Sequence, residues 1–450
     1  MIRTAAVVGA GPSGLLAARA LRAEGIEPTI FERGPDVGGI WNIDAPGSPM
    51  YESAHFISSR TQSGFPGFPM PEDYPDYPDH RRILAYIRDF AEVWGLRRHL
   101  RTNTVVEHAA PTPEGAWTVT TAGAAPEVFD ALVCANGVTW EPNVPDLPGA
   151  DTFSGELRHS RTYRDPSEFD GRRVVIVGAG NSGVDIACDA ARSAARAVLS
   201  MRRGYWFVSK HLFGIPTDVI VADPPPIPIP HRVETWALEA LLKVVVGKPQ
   251  RFGLPAPDHH VLETHPIVNT AVLHHISHGD LEPKPDVARL DGEHVVFTDG
   301  SRVQADLVLL ATGYQHAIPY LDEHLLPWDG GRPQLYLNLF PRDLPTLAVV
   351  GMIEFASAAY GHFDHMAQLV AGVLALSDDD PRRKVAAELR RTHQPDLRGG
   401  HHYVDSPRHA NYVEAETYEK VLDDVRTRIG LNPWRDWVDA PVPSRPSTVG

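Results

Sequence analysis

The sequence is poor in cysteine, in basic charge and in long apolar runs, and each shortage excludes a class of protein. It contains two cysteines, Cys134 and Cys188, which cannot form a disulfide framework, so we expect a reducing, cytoplasmic setting. The formal net charge of −15 disfavours nucleic acid and anionic membranes as partners. Apolar stretches such as residues 237–246 are too short to span a bilayer, and no targeting segment is expected.

The composition is that of a globular protein. Hydrophobic residues make up 43% and charged residues 22% of the 450 positions, and a chain of this length is expected to form more than one domain. The 22 histidines include no set with zinc-ligand spacing, so no metal site is expected. Two proline-rich segments, residues 224–230 and 439–450, predict irregular structure.

A glycine-rich turn near the start of the chain is typical of dinucleotide binding. Residues 4–8 predict a strand, residues 15–24 a helix and residues 28–31 a second, parallel strand. The turn after the first strand supplies the predicted contacts Gly9, Gly11, Pro12, Ser13 and Gly14. Glycines there allow a pyrophosphate to approach the backbone at a helix N-terminus. Glu32 ends the second strand, where its carboxylate can accept hydrogen bonds from a ribose diol.

The same pattern recurs later with a different ending. Residues 173–177, 184–194 and 197–200 predict strand, helix and strand. The predicted contacts at the start of this helix are Gly178, Gly180, Asn181, Ser182, Gly183 and Asp185. No acid ends the second strand; Arg202 and Arg203 follow it, and guanidinium groups suit a 2′-phosphate. The first unit therefore predicts a 2′-hydroxyl dinucleotide and the second NADPH, which indicates a flavoprotein that passes hydride from NADPH to FAD.

A motif between the two units carries a family resemblance. Phe153, Gly155, His159 and Tyr163 match the pattern FxGxxxHxxxY, which resembles the identifying motif of flavin-containing monooxygenases. Further segments resemble that family: Gly38-Gly39-Ile40-Trp41, residues 65–75, Arg202-Arg203-Gly204 and Ala311-Thr312-Gly313-Tyr314. Tyr163, where Baeyer–Villiger monooxygenases have tryptophan, favours the flavin-containing branch. We expect His159 to organise the domain junction and not to transfer protons.

The resemblance implies an α/β fold with two Rossmann-like dinucleotide-binding domains, the NADPH domain being inserted in a discontinuous FAD domain. The expected bounds are residues 1–163 for the first part of the FAD domain, 164–305 for the NADPH domain with a pocket-shaping insertion, and 306–450 for the second part and the C-terminal helices. The resemblance also implies FAD contacts from Arg33, Ile40, Trp41, Val106 and Gln368. The active chemistry is expected in the cleft between the domains.

The implied activity is that of an FAD-dependent NADPH monooxygenase. NADPH would reduce FAD, O2 would add at the flavin C4a position to form a hydroperoxide, and one oxygen would pass to a nitrogen or sulfur centre of a small-molecule nucleophile. The protein would have to exclude water and hold NADP+ over the flavin. The expected partners are a small-molecule substrate and O2, and a homodimer is left open.

One segment departs from the family pattern. The family has Thr-Asn where this chain has Phe56 and Ile57, and that Asn amide is expected beside the flavin C4a position. Ile57 cannot supply the amide, so His55, Ser58 and Arg60 are the candidate catalytic residues. The departure keeps two alternatives open, namely Baeyer–Villiger oxygenation of a ketone and a non-oxygenating NADPH oxidase or sensor flavoprotein.

Overall fold

The computed structural model describes residues 1–222, 231–406, 409 and 411–438. The proline-rich segments at 224–230 and 439–450 lie outside the described residues, and so do the predictions made for them. The helices are α1 (Pro12–Ala23), α2 (His80–Val93), α3 (Asn181–Ser193), α4 (Thr217–Ala222), α5 (His231–Val245), α6 (Ala271–His278), α7 (Tyr360–Ala375), α8 (Pro381–Thr392) and α9 (Ala415–Ile429). Among these described helices, none is long and apolar enough to cross a membrane.

The strands follow the chain in short segments. They are β1 (Thr4–Val8), β2 (Glu27–Phe31), β3 (Leu100–Arg101), β4 (Val106–Pro111), β5 (Trp117–Thr121), β6 (Glu127–Phe129), β7 (Ala131–Cys134), β8 (Glu141–Pro142), β9 (Glu156–His159), β10 (Arg173–Val177), β11 (Arg196–Ser200), β12 (His211–Leu212), β13 (Ile215–Pro216), β14 (Leu281–Lys284), β15 (Val287–Asp291), β16 (His294–Phe297), β17 (Arg302–Gln304), β18 (Leu307–Leu310), β19 (Tyr314–Gln315), β20 (Trp328–Asp329), β21 (Arg332–Pro333) and β22 (Leu347–Val349).

The first parallel sheet is built from distant parts of the chain. Its strand order is β22-β7-β1-β2-β3, and each neighbouring pair is parallel. In β1, Ala5, Ala6 and Val7 are fully buried, because helices and further strands cover both faces of the sheet. β22 lies more than 300 residues after β1 in the chain, so this domain is discontinuous, as predicted.

The second parallel sheet lies within the interruption of the first. Its order is β14-β11-β10-β18-β9, again with parallel neighbours. The two sheets confirm the predicted α/β fold with two Rossmann-like units, one inserted in the other. β9 and β18 flank the predicted domain junctions, and both belong to the second sheet. The domain bounds stay a prediction, and this sheet membership favours bounds just before β9 and just after β18.

The linker motif joins the second sheet to its first helix. A Cβ on Gly155 would lie 2.7 Å from the Phe153 ring and 3.0 Å from the Ala305 carbonyl oxygen, which explains the glycine. Tyr163 is fully buried, donates its hydroxyl to Asp189 Oδ2 at 2.9 Å and stacks on Phe169. The motif therefore sets the position of α3 relative to β9.

His159 ties the same linker to the segment after β18. Its Nε2 lies 2.9 Å from the Gly313 carbonyl oxygen, and its Nδ1 accepts from the Arg161 backbone N–H at 3.1 Å. Burial lowers the pKa of His159. Since one ring nitrogen donates to a carbonyl and the other accepts from an amide, the neutral imidazole satisfies both contacts. This geometry fits the junction role predicted for it.

Candidate cofactor sites

The first glycine-rich turn folds as a tight connection between β1 and α1. Gly9 has a φ of 111°, and a Cβ there would lie 2.5 Å from the Ala135 carbonyl oxygen. A Cβ on Gly14 would lie 1.9 Å from the Gly9 carbonyl oxygen, so helix and strand can approach only without one. α1 begins at Pro12 with Gly11 as its N-cap. Its first backbone N–H groups lack partners within the helix and can bind an anion.

A cavity of about 400 Å³ opens at this turn. Most of the predicted FAD contacts line it, namely Gly9, Gly11, Pro12, Ser13, Glu32, Arg33, Ile40, Trp41 and Val106. Gly14 packs directly behind the lining, against the Gly9 carbonyl. An elongated cofactor that places its pyrophosphate at α1 fits this arrangement.

Glu32 is held rigidly at one end of the cavity. Its Oε2 accepts from the Ala10 backbone N–H at 2.8 Å, and its Oε1 accepts from the Gly34 N–H at 2.7 Å. The residue is only 7% exposed, yet each carboxylate oxygen keeps a lone pair for a ribose hydroxyl. The neighbouring Arg33 guanidinium lies 3.8 Å from the centre of the Trp140 ring, and burial lowers the pKa of Arg33.

The other end of the cavity is aromatic. Trp41 Nε1 donates to the Tyr360 hydroxyl at 3.0 Å, and the Trp41 ring stacks on Phe56 at 4.9 Å. Phe363, on the same helix face as Tyr360, also lines the cavity. A flat, largely apolar ring system fits between such walls, whereas water finds few partners there.

Sequence reasoning missed the far wall of the cavity. Residues 136–140 follow β7, Gly351 follows β22, and both lie at the carboxyl ends of strands of the first sheet. A Cβ on Gly351 would lie 2.7 Å from Ser13 Cβ, so this loop packs directly on the first turn of α1. The rule that ligands bind outside the carboxyl ends of parallel strands could have found them.

Within the described chain, none of the three candidate catalytic residues lines the cavity. His55 is exposed, and its Nδ1 lies 2.9 Å from the Ser53 carbonyl oxygen. The Ser58 hydroxyl accepts from Ser63 Oγ at 2.7 Å, and the Arg60 backbone N–H donates to a carbonyl at 2.8 Å. Their catalytic roles stay predictions.

Gln368 is not among the described residues that line the FAD cavity, and its contact with that cofactor stays a prediction. Its amide nitrogen donates to Asp364 Oδ2 at 2.8 Å and to the Arg435 carbonyl at 3.1 Å. Its amide oxygen accepts from the Arg435 N–H at 2.7 Å. The C-terminal segment therefore engages this side chain, a contact between positions 67 residues apart that the sequence pattern does not reveal.

The second glycine-rich turn repeats the first closely. Gly178 has a φ of 104°, and a Cβ there would lie 2.5 Å from the Ala311 carbonyl oxygen. A Cβ on Gly183 would lie 2.1 Å from the Gly178 carbonyl oxygen. Gly180 is the N-cap of α3, and Ser182 is exposed in its first turn. The same anion-binding helix start is therefore present twice.

The polar side chains of α3 contact other segments. Asn181 Nδ2 donates to the Pro266 carbonyl at 3.1 Å, and its Oδ1 accepts from the Val268 N–H at 2.9 Å. Asp185 accepts from Asn269 Nδ2 at 2.6 Å and from the Tyr51 hydroxyl at 3.2 Å. Burial raises the pKa of Asp185. Asp185 thus connects the second unit to the first domain.

The two arginines after β11 differ in their surroundings. Arg202 is exposed, whereas Arg203 Nη2 donates to Asp258 Oδ2 at 2.9 Å. Both lie at the strand end where a 2′-phosphate is bound in NADPH-specific units.

The model of the flavin-binding monooxygenase-like family matches residues 2–438. The chain belongs to the flavin-binding monooxygenase-like family. Human putative dimethylaniline monooxygenase (N-oxide-forming) 6 is 33% identical over 398 residues, which cover 84% of this chain and 74% of the relative. Flavin-containing monooxygenase 3 of Rattus norvegicus is 33% identical over 402 residues, which cover 83% of this chain and 74% of the relative.

A solved structure agrees with this membership. The S-allyl-L-cysteine S-oxygenase of Allium sativum superposes with a TM-score of 0.67 at 24% identity, covering 97% of this chain and 91% of that one. At this identity the likeness shows the fold. As a member of the family, this flavin monooxygenase uses FAD and NADPH and acts on a small-molecule substrate with O2.

Proposed function

We propose that this flavin monooxygenase inserts one oxygen atom from O2 into a nitrogen or sulfur centre of a small-molecule nucleophile. The main support is the human relative named as N-oxide-forming, which matches 84% of the chain at 33% identity. The aromatic end of the cavity also suits an uncharged, soft nucleophile better than a strongly hydrated ion.

We place FAD in the cavity at α1. The turn from Gly9 to Gly14 and the start of α1 would hold the pyrophosphate, and Glu32 the adenosine ribose. Bound FAD would supply the redox chemistry, taking a hydride from NADPH and activating O2. Trp41 and Tyr360 would keep water from the reacting end.

NADPH would occupy the second unit. The start of α3 would take its pyrophosphate, and Arg202 and Arg203 its 2′-phosphate. Asp185 would link the two units through the Tyr51 hydroxyl, while Asn269 of its own unit holds the other carboxylate oxygen.

Among the candidate catalytic residues, Arg60 has the strongest case. Its Nε is buried and has no hydrogen-bond partner among the described residues, so it retains a polar donor beside the segment that contains Ile57. We propose that Arg60 supplies the polar contact that Ile57 cannot, with Ser58 and His55 holding the loop. A buried donor without a partner is costly unless a ligand satisfies it.

The experiment that tests the function measures NADPH oxidation, O2 uptake, peroxide release and product mass together. A tertiary amine, a thioether and a cyclic ketone are compared as substrates. We expect the amine or thioether to raise O2 uptake and to release little peroxide. The product should be heavier than the substrate by one oxygen atom, about 16 Da. A product from the ketone alone would assign Baeyer–Villiger chemistry. Peroxide equal to NADPH consumed with every substrate would assign an oxidase or sensor.

A further inference from the structure

Three side chains lead from the interior of the second unit to Arg203. Thr264 Oγ1 lies 2.9 Å from His259 Nε2, and His259 Nδ1 lies 2.8 Å from Asp258 Oδ1. The other oxygen of Asp258 accepts from Arg203 Nη2 at 2.9 Å. We call these four residues the Arg203 chain.

The inner end of the Arg203 chain is fixed by burial. Thr264 is 2% exposed, and the His259 side chain is 3% exposed. The His259 carbonyl also accepts from Trp206 Nε1 at 3.0 Å. Side chains buried to this extent occupy one rotamer, so the inner end of the Arg203 chain is rigid.

The outer end is fixed by the backbone. Gly204, the residue after Arg203, forms a parallel bridge with Pro257, the residue before Asp258. A Cβ on Gly204 would lie 2.2 Å from the Ala256 carbonyl oxygen, so the two segments are in direct backbone contact. Asp258 is therefore held against Arg203 by more than their ion pair.

The hydrogen bonds of the chain have one consistent direction. Arg203 holds the pKa of Asp258 at about 2, so this carboxylate is ionised and only accepts. His259 Nδ1 therefore donates to Asp258, and its Nε2 is hydrogen-bonded to the Thr264 hydroxyl. Removing the hydroxyl therefore frees the ring that orients Asp258.

We propose that Thr264, His259 and Asp258 position the Arg203 guanidinium for the 2′-phosphate of NADPH, and so set the preference of this site for NADPH over NADH. The contact with Asp258 engages Nη2, which leaves the donors on Nε and Nη1 for a phosphate. A guanidinium that is already ordered loses less conformational freedom when the phosphate binds. The inference rests on the proposed NADPH-binding site at Arg203.

The test compares NADP+ with NAD+, which lacks the 2′-phosphate, on the purified FAD-loaded protein. Dissociation constants are measured by titration calorimetry for Thr264→Val, Thr264→Ser and Asp258→Asn. We expect Thr264→Val and Asp258→Asn to weaken NADP+ binding about three- to tenfold, the range for one lost hydrogen bond, with NAD+ unchanged. Thr264→Ser keeps the hydroxyl and should keep the wild-type ratio, which separates positioning from a packing defect.

A matched control removes an ion-paired carboxylate on the second sheet, that of Glu282 in β14. Glu282→Gln breaks the ion pair between β14 and Arg196 of β11 and should leave both constants unchanged. The proposal would be overturned if Thr264→Val weakened the binding of NADP+ and NAD+ equally. It would also be overturned if Asp258→Asn bound NADP+ more tightly, since Asp258 would then compete with the phosphate. If Arg203→Ala bound NADP+ as tightly as the wild type, the proposed NADPH-binding site at Arg203 would be wrong.

Discussion

The two glycine-rich units of this chain have the same backbone conformation and differ in the side chains around it. Gly9 and Gly178 adopt φ values of 111° and 104°. A Cβ added to either glycine would lie 2.5 Å from a carbonyl oxygen that follows a neighbouring strand. The units part at the end of the second strand, where one has Glu32 and the other Arg202 and Arg203. We therefore expect the turn to bind a pyrophosphate in both units and the strand end to select which dinucleotide occupies each.

The two units also differ in what covers the turn. The first opens into the cavity lined by Glu32 and Trp41, whereas Asn181 of the second contacts Pro266 and Val268. The first thus has an open cavity of a size that suits part of a cofactor. In the second, the segment at residues 266–268 contacts the side chain of Asn181 while Ser182 of the same turn stays exposed.

The largest expected effect comes from one substitution made in each unit. Gly14→Ala would bring a Cβ within 1.9 Å of a carbonyl oxygen, so we expect loss of FAD and about 3 kcal/mol less stability. Gly183→Ala, with a distance of 2.1 Å, should retain FAD and lose NADP+ binding. Flavin absorbance measures the FAD content, and thermal denaturation measures the stability. Titration calorimetry measures NADP+ binding.

The control for this pair is Gly361→Ala, where the added methyl group has open space within 4 Å. It should keep both cofactors. Loss of FAD in Gly183→Ala to the same degree as in Gly14→Ala would show that the two units do not bind independently.

The next effect sharpens the contrast at the strand ends. In Glu32→Gln the amide nitrogen must face the N–H of Ala10 or of Gly34, so one hydrogen bond to a charged acceptor is lost and a donor is left facing a donor. We expect FAD affinity to fall by about 2 kcal/mol, roughly thirtyfold. Fluorescence of released flavin on dilution measures it. The exposed Glu107→Gln changes the same charge and should have no effect; a wild-type affinity in Glu32→Gln would contradict the ribose role.

A smaller effect is expected at the second strand end. Arg202 is exposed, so Arg202→Ala should weaken NADPH about fivefold, because an exposed ion pair contributes about 1 kcal/mol or less. NADH should be unaffected. Steady-state KM values for the two nucleotides measure it, and an equal change in both would show that Arg202 does not contact the 2′-phosphate.

The smallest expected effect concerns the buried carboxylate of the second unit. Burial raises the pKa of Asp185 above its unfolded value, so the folded protein binds the proton more tightly. The resulting stability is present below the unfolded pKa of about 4 and is lost as pH rises through the folded pKa. Urea denaturation from about pH 4 upward should show stability falling with pH in the wild type and less so in Asp185→Asn. An identical dependence in the variant would assign it to another group.

The parts of the fold that were predicted are those with local signals. β1 and β10 have the predicted bounds, since continuous apolar residues mark them. The helix predicted for residues 15–24 begins instead at Pro12, because proline is well tolerated in a first turn. The antiparallel sheet β15-β16-β17 was not expected, because short strands of mixed burial have a weak sequence pattern.

The sequence by itself determined the two Rossmann-like units and predicted the order of their cofactors. A turn, a helix start and a strand end lie within about 25 residues of one another, and their geometry follows from local backbone sterics. Tertiary structure alone decided the rest of both sites. It placed Gly351 on Ser13, engaged Gln368 with Arg435 and brought Asp258 to Arg203, which are contacts between residues 55 or more positions apart. Such contacts depend on how sheets and loops pack, and no periodicity along the chain encodes which side chains meet.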